Sequence, residues 1–170
     1  METKTYRALV LFDKKTVKVE ERVAAPLSPG QVRVRLAAAG ICGSDLHYFN
    51  DFGNVGYPLR HPLTMGHEAC GTIAEIGPGV DALAVGDKVA VNPLMHCGDC
   101  VPCRRGEANL CENKRFPCSA MIVPHVEGFF REYFETEARC CVKVPADTDM
   151  RRLAFAEPLS CCLHAARRAG

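Results

Sequence analysis

Gln31-Val32-Arg33-Val34-Arg35-Leu36 sets an apolar side chain at every second position, the period that a strand with one buried and one wet face requires. The same alternation runs through Tyr6 to Phe12 and Thr16 to Arg22. Pro26-Leu27-Ser28-Pro29-Gly30 reads as a turn, because proline presets one backbone angle and glycine accepts positive ones. Short β-rich stretches follow at Gly71 to Ile76, Asp87 to Val91, Glu132 to Phe134 and Cys140 to Val144, with turns at Gly77-Pro78-Gly79 and Gly86-Asp87. Many short strands separated by turns predict a mainly β chain, an antiparallel barrel or sandwich. From Thr148 the pattern changes. Asp147 or Thr148 can cap a helix, Met150 to His164 has helical spacing, and Pro158 is expected to separate or kink two short helices. No strand follows them, so the sequence ends like a cut between domains.

A chain of 170 residues holds one substantial domain and part of a second, and it can bury roughly 70% of its unfolded surface without help from disulfides. Yet 11 residues are cysteine. Met1-Glu2-Thr3-Lys4 runs straight into a patterned segment with no apolar leader, which points to a reducing, cytoplasmic compartment where thiols stay free or bind metal. Lys plus Arg number 21 against 20 Asp plus Glu, a balance that offers no bulk attraction for nucleic acid or anionic membrane. The pairs Arg104-Arg105, Lys114-Arg115, Arg151-Arg152 and Arg167-Arg168 are too scattered for a binding stripe. No apolar run approaches the ~20 residues that cross a bilayer.

Cys97, Cys100, Cys103 and Cys111 form C-x2-C-x2-C-x7-C. Two-residue gaps turn successive thiolates towards one ion, and the fourth returns from a short loop to complete a tetrahedron, a structural zinc site with no open position. The intervening loop has almost no apolar residues, so its folding should depend on the metal. An iron-sulfur cluster competes, but there the fourth cysteine normally follows after three residues and precedes proline. Here the gap is seven and Glu112 follows.

A second set is dispersed. Gly40-Ile41-Cys42-Gly43-Ser44-Asp45-Leu46-His47 carries a thiol, a hydroxyl and an imidazole, and Gly66-His67-Glu68 opens a later strand. Together they offer a thiolate, an imidazole and a carboxylate, the ligands of a zinc site that keeps its fourth position open. On composition alone this reading stands level with a buried small cysteine and a hydrogen-bonded histidine.

These segments, in this order, resemble the zinc-dependent medium-chain alcohol and polyol dehydrogenases. The resemblance rests on GICGSDLHYF at 40 to 49, GHEACGTIAEIGPGV at 66 to 80, VGDKVAVNP at 85 to 93, the CGDCVPCRRGEANLC lobe and AEPLSCCLHAARRAG at 156 to 170. Within the family, RFPCSAMIVPHVEGFF at 115 to 130 is similar to the L-idonate 5-dehydrogenases more than to the sorbitol or xylitol enzymes. The resemblance implies a GroES-like irregular β-barrel over 1–147, with a zinc lobe at 94–115. A helical connection at 148–170 would lead to a Rossmann domain not contained in this sequence. It implies two Zn2+ per chain: one held by Cys42, His67 and Glu68, with Glu157 of the EP motif binding directly or through water, and one by Cys97, Cys100, Cys103 and Cys111. Ser44 and His47 match the proton-relay positions, and Tyr48 falls where polyol dehydrogenases contact substrate. Zinc as a Lewis acid would let a secondary alcohol deprotonate near neutral pH, and hydride would pass to NAD or NADP. The expected substrate is a sugar acid or polyol, L-idonate giving 5-keto-D-gluconate, in a homo-oligomer when full length. Neither nucleic acid nor membrane is an expected partner.

Gly77-Pro78-Gly79-Val80-Asp81-Ala82 fits G-x-G-x-x-A by letter. Gly86-Asp87 and the next strand follow too soon for a phosphate-binding helix, so it reads as a turn. The chain alone is therefore expected to bind zinc without turning over, and a noncatalytic zinc-stabilised module is the competing reading. Phe129 stands where relatives have a second glycine, which would strain or reshape that turn. Cys70, Cys118, Cys140, Cys141, Cys161 and Cys162 read as small buried packing groups, and His125 and His164 as structural.

Overall fold

The computed structural model describes residues 4–170; the leaderless start read at Met1 to Thr3 lies outside the described residues. Strands β1 (Thr5–Asp13) and β2 (Thr16–Val23) form an antiparallel hairpin that continues into the short β6 (Leu63–Thr64). A second sheet takes the order β10-β8-β7-β3-β9, from β3 (Gln31–Gly40), β7 (Glu68–Ile76), β8 (Lys88–Val91), β9 (Tyr133–Glu137) and β10 (Cys141–Lys143), and every pairing in it is antiparallel. The minimal ribbon of β4 (Gly53–Asn54) and β5 (Tyr57–Pro58) lies between them in sequence.

Residues 130–132 join the two sheets. Leu9 N donates to Phe130 O at 2.8 Å, Glu132 N to Arg7 O at 2.9 Å and Leu36 N to Glu132 O at 2.9 Å. This seam closes the sheets into an irregular barrel, the mainly β architecture expected. Val32, Val34, Ile73, Val89 and Phe134 fill one core, and Leu11, Tyr48, Leu63, Met65 and Cys118 a second. Phe129 belongs to the first core. It is 2% exposed, stacks on Phe134 at 4.3 Å and has no positive φ, so the expected strain does not arise.

The alternation at 31–36 is borne out with one difference. Val32 and Val34 are buried as expected, but Arg33 on the opposite face is buried too, at 4%. Its guanidinium pairs with Glu75 and, at 3.0 Å, with Glu135, and it also donates to Ala25 O. Periodicity assigns the polar half of the pattern to solvent because it cannot see charges arriving from neighbouring strands.

Three local expectations need correction. Asp149 caps α3 (Met150–Leu153), accepting from Arg151 N at 2.9 Å and Arg152 N at 3.4 Å, in place of Asp147 or Thr148. Pro158 does not separate the helices. It sits in the first turn of α4 (Ala156–Ala169), where a backbone N–H has no intrahelical acceptor in any case. Cys161 and Cys162 are exposed on α4. Gly77-Pro78-Gly79 is a turn as read: Gly79 takes φ +74° and the chain proceeds to β8 with no helix. No helix among the described residues is long and apolar enough to cross a membrane.

Truncating Arg33 would take a charged donor from Glu75 and Glu135 and leave Ala25 O without its partner. Arg33→Ala is expected to cost about 2 kcal/mol or more in urea denaturation. Lys4→Ala, on the exposed side of Glu75, should cost less than about 1 kcal/mol.

Candidate active site and metal centres

Antiparallel pairing of β3 with β7 sets Gly40 opposite Glu68, so the end of one strand and the start of the other meet at one rim of the sheet. Cys42 follows β3 by two residues and N-caps the helix α1 (Gly43–Asp51), while His67 immediately precedes β7. The donor atoms of Cys42, His67 and Glu68 lie within 4.8 Å of one another, with His67 and Glu68 buried. His67 Nδ1 is buried without a hydrogen-bond partner. Glu68 reaches the cluster across Gly40, where an added Cβ would stand 1.9 Å from Glu68 Oε2. A thiol, an imidazole and a carboxylate converging at a buried rim fit a divalent cation such as zinc.

Helix α1 was not anticipated, since only Asp45 and Tyr48 of its nine residues are buried and no apolar stripe marks it. Its cap explains it. Asp45 Oδ2 accepts from Cys42 N at 2.9 Å, while Oδ1 accepts from Gly66 N at 3.1 Å and from Cys118 Sγ at 3.4 Å. This carboxylate, 1% exposed, ties the segment bearing Cys42 to the one bearing His67. Sequence reasoning gave Asp45 no role. The available signal was its place three residues after the N-cap, where an acid can reach back to the cap N–H.

A cavity of about 260 Å³ adjoins His67 and is lined by Ser44, Tyr48, Asn54, Tyr57, Phe116, Cys118, Ser119 and Met121, among others. Ser44 and Tyr48 were singled out from sequence; Asn54, Tyr57 and Ser119 were not. The Tyr48 hydroxyl accepts from Ala120 N at 3.0 Å, and burial pushes its pKa up. His47 is exposed on α1, and no hydrogen bond joins it to Ser44 among the described residues. Glu157, in the first turn of α4, lies outside the cluster and accepts from Cys161 Sγ at 3.7 Å.

Cys97, Cys100, Cys103 and Cys111 also converge. The Sγ separations are 3.9 Å for Cys97–Cys103, 3.9 Å for Cys100–Cys111 and 3.5 Å for Cys97–Cys111. Disulfides would need about 2.05 Å, whereas a tetrahedron with Zn–S near 2.3 Å has edges of about 3.8 Å. Backbone N–H donors from Glu112 and Cys103 draw the Cys100 thiol down to about 7. Paired hydrogen bonds between Met95 and Arg115, at 3.0 and 2.8 Å, close the stem of this lobe, which carries the single-turn α2 (Val101–Arg104). His125 is held elsewhere, its Nε2 accepting from Arg60 N at 3.0 Å, and His164 is exposed.

Barrel, rim cluster and four-thiol lobe together define a class, the zinc-dependent medium-chain dehydrogenases. Residues 28–146 match the alcohol dehydrogenase GroES-like domain, and the chain belongs to that family. It is 41% identical over 171 residues to L-idonate 5-dehydrogenase (NAD(P)(+)) of Escherichia coli (strain K12), covering 100% of this chain and 48% of that protein. It is 36% identical to sorbitol dehydrogenase of Bacillus subtilis (strain 168), covering 95% and 45%. Among solved structures, L-idonate 5-dehydrogenase from Escherichia coli superposes with a TM-score of 0.92 at 37% identity, over 99% of this chain and 48% of that one. The chain thus spans about half the length of the relatives it matches.

Two outcomes follow for metal content. If both clusters take zinc, Gly40→Ala should displace Glu68 and weaken binding at the rim cluster about tenfold or more and leave binding at the lobe unchanged; elemental analysis after graded chelation reads both. Complete zinc removal should speed amide exchange across 94–115 and leave β3 and β7 protected; uniform loss of protection would contradict a lobe that alone depends on metal.

Proposed function

We propose that this chain is the zinc-carrying catalytic half of an NAD(P)-linked dehydrogenase that oxidises a secondary alcohol of a sugar acid or polyol. The observation that carries it is the convergence of Cys42, His67 and Glu68 beside a polar-lined cavity. L-idonate, giving 5-keto-D-gluconate, is the favoured substrate, supported by the relatives of that name at 41% and 37% identity. A sorbitol- or xylitol-type polyol is the second reading, supported by sorbitol dehydrogenases at 36% and 38%.

Cys42, His67 and Glu68 would hold the first zinc, with Glu157 on α4 a further carboxylate, direct or through water. When bound, zinc supplies Lewis acidity that lowers the pKa of an attached hydroxyl towards neutrality. Ser44, on the cavity wall, takes the hydroxyl proton and passes it outward, His47 being the exposed end of that route. Tyr48, Asn54, Tyr57 and Ser119 offer polar groups to the remaining hydroxyls, and Phe116 forms an apolar wall beside His67 at 5.3 Å. A nicotinamide held by the other half of the protein would supply the hydride acceptor that this chain lacks. Residues 1–147 are then the catalytic domain and 148–170 the connection to the cofactor domain, in a cytoplasmic homo-oligomer. Cys97, Cys100, Cys103 and Cys111 hold the second, structural zinc.

The 170-residue chain alone should show no NAD(P)-linked turnover, because none of its described segments builds a dinucleotide-binding βαβ unit. Joined to a relative's cofactor half, it should oxidise L-idonate faster than sorbitol or xylitol, and Ser44→Ala should lower kcat by about 100-fold. Turnover by the chain alone would overturn the two-half reading, and no turnover from the joined protein would favour a noncatalytic module.

A further inference from the structure

We propose that the buried Cys118 thiol is a positioning residue for the metal set Cys42, His67 and Glu68, acting through Asp45. The inference rests on the zinc reading of that set. Cys118 is 3% exposed and directs its Sγ at Asp45 Oδ1, 3.4 Å away. The same oxygen accepts from Gly66 N, and the other oxygen from Cys42 N. The thiol is therefore the one side-chain donor among the three hydrogen bonds that fix a carboxylate spanning both ligand-bearing segments. Donor atoms of Asp45, His67 and Cys118 lie within 4.8 Å of one another, and this group shares His67 with the metal set.

Backbone geometry adds an independent observation. Cys118 has φ +54°, a left-handed conformation that disfavours a residue with a Cβ and costs glycine almost nothing. A position whose backbone suits glycine but carries a side chain aimed at a buried carboxylate marks that side chain as functional, the direction in which strain supports inference. A thiol is a weak, neutral donor. It can orient Asp45 without cancelling its charge, so the negative field beside the ligands survives. Outer groups of this kind fix the angle at which ligands meet a metal, and losing one typically weakens binding 10- to 100-fold.

The test is to load the 170-residue chain with 113Cd and compare wild type with Cys118→Ser, Cys118→Ala and Cys118→Gly. NMR resolves the four-thiolate lobe from the mixed-ligand set, and chelator competition gives each affinity. Ala and Gly are expected to weaken the mixed-ligand site about tenfold and shift its resonance, with the lobe unmoved, whereas Ser, which keeps a donor, stays within about twofold of wild type. The Gly variant relieves the positive φ, so its agreement with Ala separates loss of the donor from backbone strain. Equal affinity in Ala and wild type overturns the proposal. So does equal loss in Ser and Ala, which would make the sulfur itself a ligand or a packing group. A wild-type spectrum with the lobe signal alone overturns the zinc reading of Cys42, His67 and Glu68, and this inference with it.

Discussion

The pairing of β3 with β7 is the constraint on which the site depends. Cys42 and His67 are 25 positions apart, and only an antiparallel ladder brings the last residues of one strand beside the first of the other. Register matters as much as direction. Successive side chains on a strand alternate faces, so a slip of one residue would turn Glu68 away from the rim and bury Val32 and Val34 on the wrong side. Core packing and ligand placement are thus fixed by the same pairing. The two irregularities in that ladder, between Arg33 and Val34 and between Leu36 and Ala38, bend the strand on its way to the rim, as bulges near functional sites commonly do.

Buried charges of opposite sign are accommodated in opposite ways. Arg33 is surrounded by carboxylates and a carbonyl, so its charge is offset within the sheet. Asp45 and Glu68 are buried beside the ligands with no cationic side chain paired to either among the described residues. Asp45 has its lone pairs occupied by neutral donors, which satisfies its hydrogen bonding and leaves its charge. Buried negative charge without a paired cation is costly, and a divalent ion at Cys42, His67 and Glu68 is what would offset it. The electrostatics and the geometry therefore ask for the same occupant.

The barrel was legible because strands and turns declare themselves locally, by period two and by Gly and Pro. The lobe was legible because its ligands are close in sequence. Ligand types at 42, 67 and 68 could be recognised, but their convergence rests on strand register, which no local pattern encodes. Helix α1 escaped because a capping carboxylate and one tyrosine, rather than an apolar face, hold it. Arg33 escaped because its partners come from strands 42 and 102 positions away. Among the thiols, Cys70, Cys118 and Cys140 are buried as expected, and burial pushes all three pKa values up. Cys161 and Cys162 lie on a helix face that this chain leaves open.

The two proposed metal sites differ in what would hold them without an ion. The lobe from Cys97 to Cys111 has a single buried residue, Cys111, and two short helical turns, so four thiolates meeting an ion supply most of its reason to fold. The rim cluster stands on β3 and β7, whose Val32, Val34 and Ile73, with Val89 of the adjacent β8, are almost fully buried, each worth roughly 1.5–3 kcal/mol of burial. There the protein holds the ligands ready and the ion adds chemistry to a frame that exists without it. A preorganised site can be tuned by small changes behind its ligands, and this is why a single buried thiol against Asp45 has leverage that no single residue of the lobe, apart from its four sulfurs, possesses.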